Sequence, residues 1–216
     1  MALVLALPLA TGRIPGSSQL LALLAEPGQH KLITMALFQS PVVAASVTPV
    51  PVVAGEGPYR ITAERRALLN TIRFAEGTWS GGSHKGYQML FGGGQFANLA
   101  RHPELTVSRG YRSAAAGAYQ FLPDTWMEAS KHLRLRDFRP ASQDQAALYL
   151  VEKRGALARF DRQGLNHEVI GLLSPEWASL PTTAGSSYYG QPVKAHNELL
   201  RFYANELARQ RTLGPV

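Results

Sequence analysis

A chain of 216 residues has room for one domain of ordinary size and a tail, and at 45% hydrophobic it carries enough apolar residues for a sizeable core. The absence of cysteine excludes disulfide frameworks, thiolate metal sites and a cysteine nucleophile, and no apolar run reaches the about 18 residues of a membrane span, so no stable membrane insertion is expected. The formal charge is +7; residues 1–57 carry two basic and two acidic residues, so the whole excess lies beyond them and points to an anionic partner without choosing among nucleic acid, membrane surface and cell wall.

Residues 1–57 contain one aromatic, Phe38, and a Pro/Val/Ala-rich stretch from Pro41 to Val53, in which Thr48-Pro49-Val50-Pro51 favours an extended linker. Two readings stand for this segment. One is a low-complexity, disordered tail. The other is an export segment, in which Lys31 precedes apolar Leu32–Phe38 and Val43-Ala44-Ala45 offers small residues for cleavage. Residues 58–216 read as one folded domain. Thr62 is placed to cap a helix running to Ala75 or Glu76, with Leu68, Leu69, Ile72 and Ala75 at helical spacing and Gly77 as a left-handed stop. Ser80–Gly94 is Gly-rich and poor in charge, and its short aromatic-bearing runs suggest a small β-hairpin.

Tyr119 and Phe121 alternate about Gln120 as in a short strand, which suggests core positions. Further helices are predicted at Asp124–Leu135, Ser142–Arg154, His167–Leu173 and Pro192–Arg209. Ser142 with Gln145 has capping-box spacing, and Ala146–Val151 is apolar all round, as in a helix buried at the centre of a domain. The fold class is therefore α+β, mainly helical with one small β region.

Glu76 is the informative acid. It shares a stripe with Leu69 and Ile72 and sits at the negative end of its helix dipole, so burial and the dipole would both raise its pKa. A carboxyl group kept protonated near neutral pH is what a glycosidic oxygen needs as general acid. Pattern alone equally permits a solvated helix-end residue with no role. No Asp or Glu follows between Gly77 and Pro103, so the expected hairpin lacks the second carboxylate of a two-acid glycosidase. A substrate hydroxyl attacking within its own sugar would remove the need for one. Asp124 or Asp144 could still fold into such a cleft.

Several constellations are missing. The six histidines form no His-Glu-x-x-His, no Gly-x-Ser-x-Gly elbow occurs, and neither Gly81-Gly82 nor Gly92-Gly93-Gly94 fits a nucleotide loop. No metal or cofactor is expected. Arg65-Arg66, Arg109, Arg112, Arg134, Arg136 and Arg139 read as a solvated basic face suited to an anionic wall, and a nucleic-acid partner rests on charge alone.

Five segments together carry a resemblance: Phe74-Ala75-Glu76-Gly77-Thr78, Ala116–Phe121, Asp137–Asp144, Glu152–Leu157, and Trp177-Ala178-Ser179-Leu180-Pro181 with Tyr189-Gly190-Gln191. In this order and spacing the chain resembles the lambda-type endolysins, peptidoglycan lytic transglycosylases with a lysozyme-like fold, over about residues 59–209. The resemblance implies a small β region beside an active-site cleft, Glu76 as catalytic acid, and peptidoglycan glycan strands as substrate, cut between N-acetylmuramic acid and N-acetylglucosamine with a 1,6-anhydro product. It places Tyr119, Gln120, Tyr189 and Gln191 in or near the cleft, where Trp177 is a further candidate for stacking on a sugar. Each has a plainer reading, as packing or a structural bridge. It implies a monomer acting at the bacterial wall or periplasm, reached by its own signal or through a membrane lesion made by another protein. Hydrolysis of the same bond and wall binding without catalysis are the alternatives. The chain departs from the family at Ala118, where an arginine is usual, and in a longer Pro181–Tyr189 loop.

Overall fold

Thr62 opens the first helix as its sequence predicts. In the computed structural model, which describes residues 57–213, α1 spans Ala63–Ala75, and the Thr62 hydroxyl accepts from the Arg65 backbone N–H. Glu76 caps its other end, and Gly77 follows in the left-handed conformation (φ 71°), open to glycine at little cost. The expected tail or export segment at 1–56 lies outside the described residues.

Four more helices match expectation, His167–Leu173 at its expected ends and three with shifted ends, and one is not anticipated by the sequence. α2 spans Pro123–Leu133, α3 Pro140–Lys153, α4 Leu157–Gln163, α5 His167–Leu173 and α6 His196–Thr212. α4 escapes a periodicity search because it is 7 residues long and buries only Leu157 and Phe160. α3 is central as its apolar middle implied: Ala146, Ala147, Leu148, Leu150 and Val151 are all buried, and α1, α2 and α4 pack on it. α6 lies along α1, where Leu199 and Tyr203 join the core.

The capping box at Ser142 does not form. The helix starts two residues earlier, at Pro140, whose ring already holds the first-turn φ. No side chain caps the helix; Asp137 braces the turn before it, its Oδ1 accepting from Arg139 N (3.1 Å) and Ser142 Oγ (2.7 Å). Gln145 turns away and brackets Tyr59, accepting from its N–H at 2.9 Å and donating to its carbonyl at 2.7 Å.

The β-hairpin is also elsewhere. Among the described residues the strands are β1, Val107–Arg109, and β2, Tyr111–Ser113, an antiparallel pair turning at Gly110. Ser80–Gly94 forms 3-10 turns at His84–Gln88 and Phe91–Gly93. Gly81, Gly82, Gly92 and Gly93 all take positive φ, so this stretch reverses too often to extend. Isolated bridges Met89–Gln95 and Leu90–Ala116 are all the pairing it makes. β2 nevertheless ends beside the groove described below, where Ser113 forms part of the wall.

The strand-like Ala116–Phe121 segment is a tight turn closed by an Ala116–Phe121 bridge. A Cβ on Gly117 (φ 81°) would fall 2.3 Å from Gln143 Oε1, so glycine is required there on two counts. Gln143, fully buried on α3, holds this turn: its Oε1 accepts from Ala118 N (2.8 Å), and its Nε2 donates to the carbonyls of Tyr87 (3.0 Å) and Phe138 (2.7 Å).

Candidate active site

A groove of about 570 Å³ runs past the end of α1. Glu76, Gln120, Trp177, Ser179, Tyr189 and Gln191 all line it, with Phe91 and Gly92 from the glycine-rich turns opposite. Six elements therefore converge: the α1 C-terminus, the Phe91–Gly93 turn, the end of β2, the 116–121 turn, the segment after α5 and the loop before α6. Five of the six residues singled out from sequence meet here.

Tyr119 does not. Its side chain is 1% exposed and its hydroxyl donates to Asp144 Oδ1 at 2.5 Å, away from the groove. In a tight turn, neighbouring side chains diverge, so Gln120 faces the groove while Tyr119 and Phe121 enter the core. The core reading of Tyr119 and Phe121 holds; the cleft reading of Tyr119 does not. Its carbonyl still contributes, accepting from Trp177 Nε1 at 3.2 Å and so fixing the indole in the groove wall. That wall role is chiefly packing, since Trp177 is 3% exposed.

Glu76 is half-buried by surface area because its carboxyl opens onto the groove. Protein atoms nevertheless surround it closely. Desolvation raises its pKa from 4.5 to about 7, against a smaller lowering by the Ser179 hydroxyl, which donates to Oε1 at 2.6 Å. Glu76 is therefore not a fully solvated helix-end residue. Ser179 went unremarked as a functional residue, since nothing local in Trp-Ala-Ser-Leu-Pro signals a partner 103 positions away.

Gln120 holds a left-handed backbone (φ 48°), unusual outside glycine and asparagine and of a kind that concentrates at functional sites. Its amide donates to Gly117 O (3.0 Å) and Met89 O (3.3 Å), leaving the side-chain oxygen toward the groove without a protein donor among the described residues. Tyr189, more than half exposed, donates to Pro175 O at 2.8 Å and ties the long loop across the groove wall. Ser187 Oγ accepts from Tyr189 N and Gln191 N, so the loop is internally braced despite its length.

Neither aspartate considered as a second acid reaches the groove. Asp144 is buried in α3, where it accepts from Tyr87, Tyr119 and Arg66. Asp124 is an exposed first-turn residue of α2. The second carboxylate in the groove wall is Glu176, overlooked because it precedes an expected packing tryptophan. Its Oε2 accepts from Arg154 Nε (2.9 Å) and lies 2.8 Å from Nη2. Of the arginines read as a solvated face, Arg66 instead pairs with buried Asp144, whereas Arg109, Arg112, Arg134, Arg136 and Arg139 are exposed. Among the described residues no group of three or more His, Cys, Asp or Glu side chains is placed to hold a metal, and no helix is long and apolar enough to cross a membrane.

Comparison with known proteins agrees with this geometry. The Endolysin family profile matches residues 66–209. The endolysin of Escherichia phage lambda is 35% identical over 147 residues, 66% of this chain and 90% of the relative. That of Escherichia phage P2 is 34% identical over 164 residues, 69% and 92% respectively. Among solved structures, bacteriophage lambda lysozyme complexed with a chitohexasaccharide aligns at a TM-score of 0.61 and 34% identity, covering 68% of this chain and 96% of that one. A second lysozyme from bacteriophage lambda aligns at 0.56 and 31%, covering 73% and 98%. With the family profile, the relatives and the fold in agreement, the chain belongs to the endolysin family and is a lysozyme-like, glycan-cleaving enzyme.

Proposed function

We propose that this enzyme is a peptidoglycan lytic transglycosylase, with Glu76 as the acid and then the base. Protonated Glu76 gives its proton to the oxygen joining N-acetylmuramic acid C1 to N-acetylglucosamine, and the C1–O bond breaks. The resulting carboxylate accepts the proton of the muramic C6 hydroxyl as O6 bonds to C1, closing a 1,6-anhydro ring and restoring the acid. No water is consumed, and no metal or cofactor takes part. The observation carrying this reading is the Glu76 carboxyl facing the groove with its pKa near 7, which keeps both protonation states within reach at neutral pH.

Transglycosylation is favoured over hydrolysis by the state of the groove's other acid. Glu176 is engaged by Arg154, so its carboxylate is a poor candidate to activate water. An attack within one sugar needs no such base and gains about 7–11 kcal/mol from orientation when well placed. Gln120, Tyr189 and Gln191 are the proposed glycan contacts, with Trp177 packed as the wall behind them, a reading supported by their shared groove and by the chitohexasaccharide bound to lambda lysozyme.

Mass spectrometry of muropeptides released from purified wall tests the mechanism. Anhydromuramic ends, one water lighter than hydrolytic ends, are expected; reducing muramic ends alone would establish a hydrolytic lysozyme instead. Glu76→Gln is expected to lower wall clearing by about 10²–10⁴-fold with binding to wall retained. A Glu76→Gln protein as active as the parent would remove Glu76 from the mechanism.

A further inference from the structure

A second cavity, of about 470 Å³, shares no lining residue with the catalytic groove. Arg66, Asn70 and Arg73, spaced on one stripe of α1, form its floor, and Trp79, His84 and Arg209 stand around it. Its charges do not balance. Arg66 is paired with Asp144 at 2.5 Å, and Arg209 with Glu206 at 2.7 Å. Arg73 has no carboxylate within ion-pair distance among the described residues, although it is 3% exposed.

The surroundings of Arg73 favour a cation but do not neutralise it. Its guanidinium lies 4.5 Å from the Tyr87 ring centroid and 5.0 Å from that of Trp79, while Nη1 donates to Asn70 Oδ1 and Nη2 to Ser83 O. Its Nε, like the nearby Ser83 Oγ, is buried without a hydrogen-bond partner. A buried charge is normally paired. Here the partner is missing beside an open cavity.

Gly81 and Gly82 also line the cavity. Both take positive φ; a Cβ on Gly81 would meet nothing within 4 Å, and one on Gly82 would fall 3.5 Å from Arg209 Nη2. We infer that this cavity is an anion site which takes a single carboxylate of a wall stem peptide, a grip on the substrate separate from the glycan groove. One uncompensated positive charge matches a monoanion, and planar guanidinium groups favour carboxylate geometry. The inference rests on the wall-degrading reading only for the source of the carboxylate.

The test is a titration of the ¹⁵N-labelled full chain with N-acetyl-D-alanyl-D-alanine, following the Trp79 indole and Arg73 Nε–H signals by NMR. Saturable shifts of both are expected with the free acid and none with its C-terminal amide. Arg209→Gln, which keeps Arg73 and its Tyr87 contact but removes the cation over Trp79 and the ion-pair partner of Glu206, is expected to weaken the acid's Kd by about tenfold, with cleavage of soluble glycan unchanged. Absence of shifts, equal shifts with the amide, or an unchanged Kd in Arg209→Gln would overturn the site. Inorganic phosphate binding more tightly than the acid would overturn its assignment to carboxylate. Because no glycan is present, these results are independent of which product the catalytic groove makes.

Discussion

Ser179 is the residue on which the acidity of Glu76 can be tuned without removing the acid. Its hydroxyl donates to Glu76 Oε1 at 2.6 Å, which favours the carboxylate and partly offsets the desolvation that raises the pKa to about 7. Ser179→Ala removes that donor and leaves the desolvation. A hydrogen bond to a charged group is worth about 1.5–3 kcal/mol, and water entering from the groove will replace part of it. A net loss of about 1.4 kcal/mol corresponds to about one pKa unit. The sign is fixed: the donor stabilises the ionised form, so losing it moves the pKa up, to about 8. With Glu76 as the proposed proton donor it must begin protonated, so activity is expected to fall as pH rises through its pKa. At pH 8 about one-tenth of the parent would hold the proton, against about half of the variant. Initial rates of wall clearing between pH 5 and 9 measure this directly: the alkaline limb should move up by about one unit while the optimum rate drops. An unmoved alkaline limb, or one displaced toward acid, would refute the assignment of Glu76 as the proton donor tuned by Ser179.

The same raised pKa makes a stability prediction. Glu76 binds its proton more tightly folded than unfolded, so its contribution is fully present below pH 4.5 and is lost as pH rises through about 7. Glu76→Gln should therefore raise Tm at pH 8, by several degrees for about 2 kcal/mol, and leave it little changed at pH 5, as calorimetry at the two pH values will show. Gln143→Leu strands Ala118 N–H and the carbonyls of Tyr87 and Phe138 in the core, and about 3 kcal/mol of unfolding free energy should disappear in urea titrations. Arg66→Ala leaves Asp144 buried without its cation and should be destabilising by about 3–5 kcal/mol in the same titration. Tyr189→Phe removes only the bond to Pro175 O; KM for glycan should rise a few-fold with kcat and Tm near the parent's, whereas an unchanged KM would show the loop tether to be irrelevant to binding.

Much of the domain is determined locally. Thr62 and Gly77 are chemically suited to begin and end α1, the apolar period of α1 fixes which face turns inward, and the all-round apolar middle of α3 marks it as the central helix. Glu76 is legible on the same grounds: its position at a helix end and on an apolar stripe already implies a raised pKa. Local reasoning failed where geometry is set by what the chain meets elsewhere. The glycine-rich 80–94 stretch became paired 3-10 turns, and Gln145 left a capping box to hold Tyr59. Tyr119 and Gln120 are adjacent yet face opposite environments because a left-handed backbone divides them.

The groove itself is a tertiary product. Ser179 reaches Glu76 across 103 positions, Glu176 enters the wall with Arg154 already attached, and Asp144, a candidate cleft acid by composition, is drawn into the core by two tyrosines and an arginine. Helical spacing and capping are properties of neighbouring residues, so sequence alone determined the first helix, the central helix and the place of Glu76 on an apolar stripe. Which polar groups share one pocket depends on long-range contacts, and only the folded chain decided the partners that tune that acid.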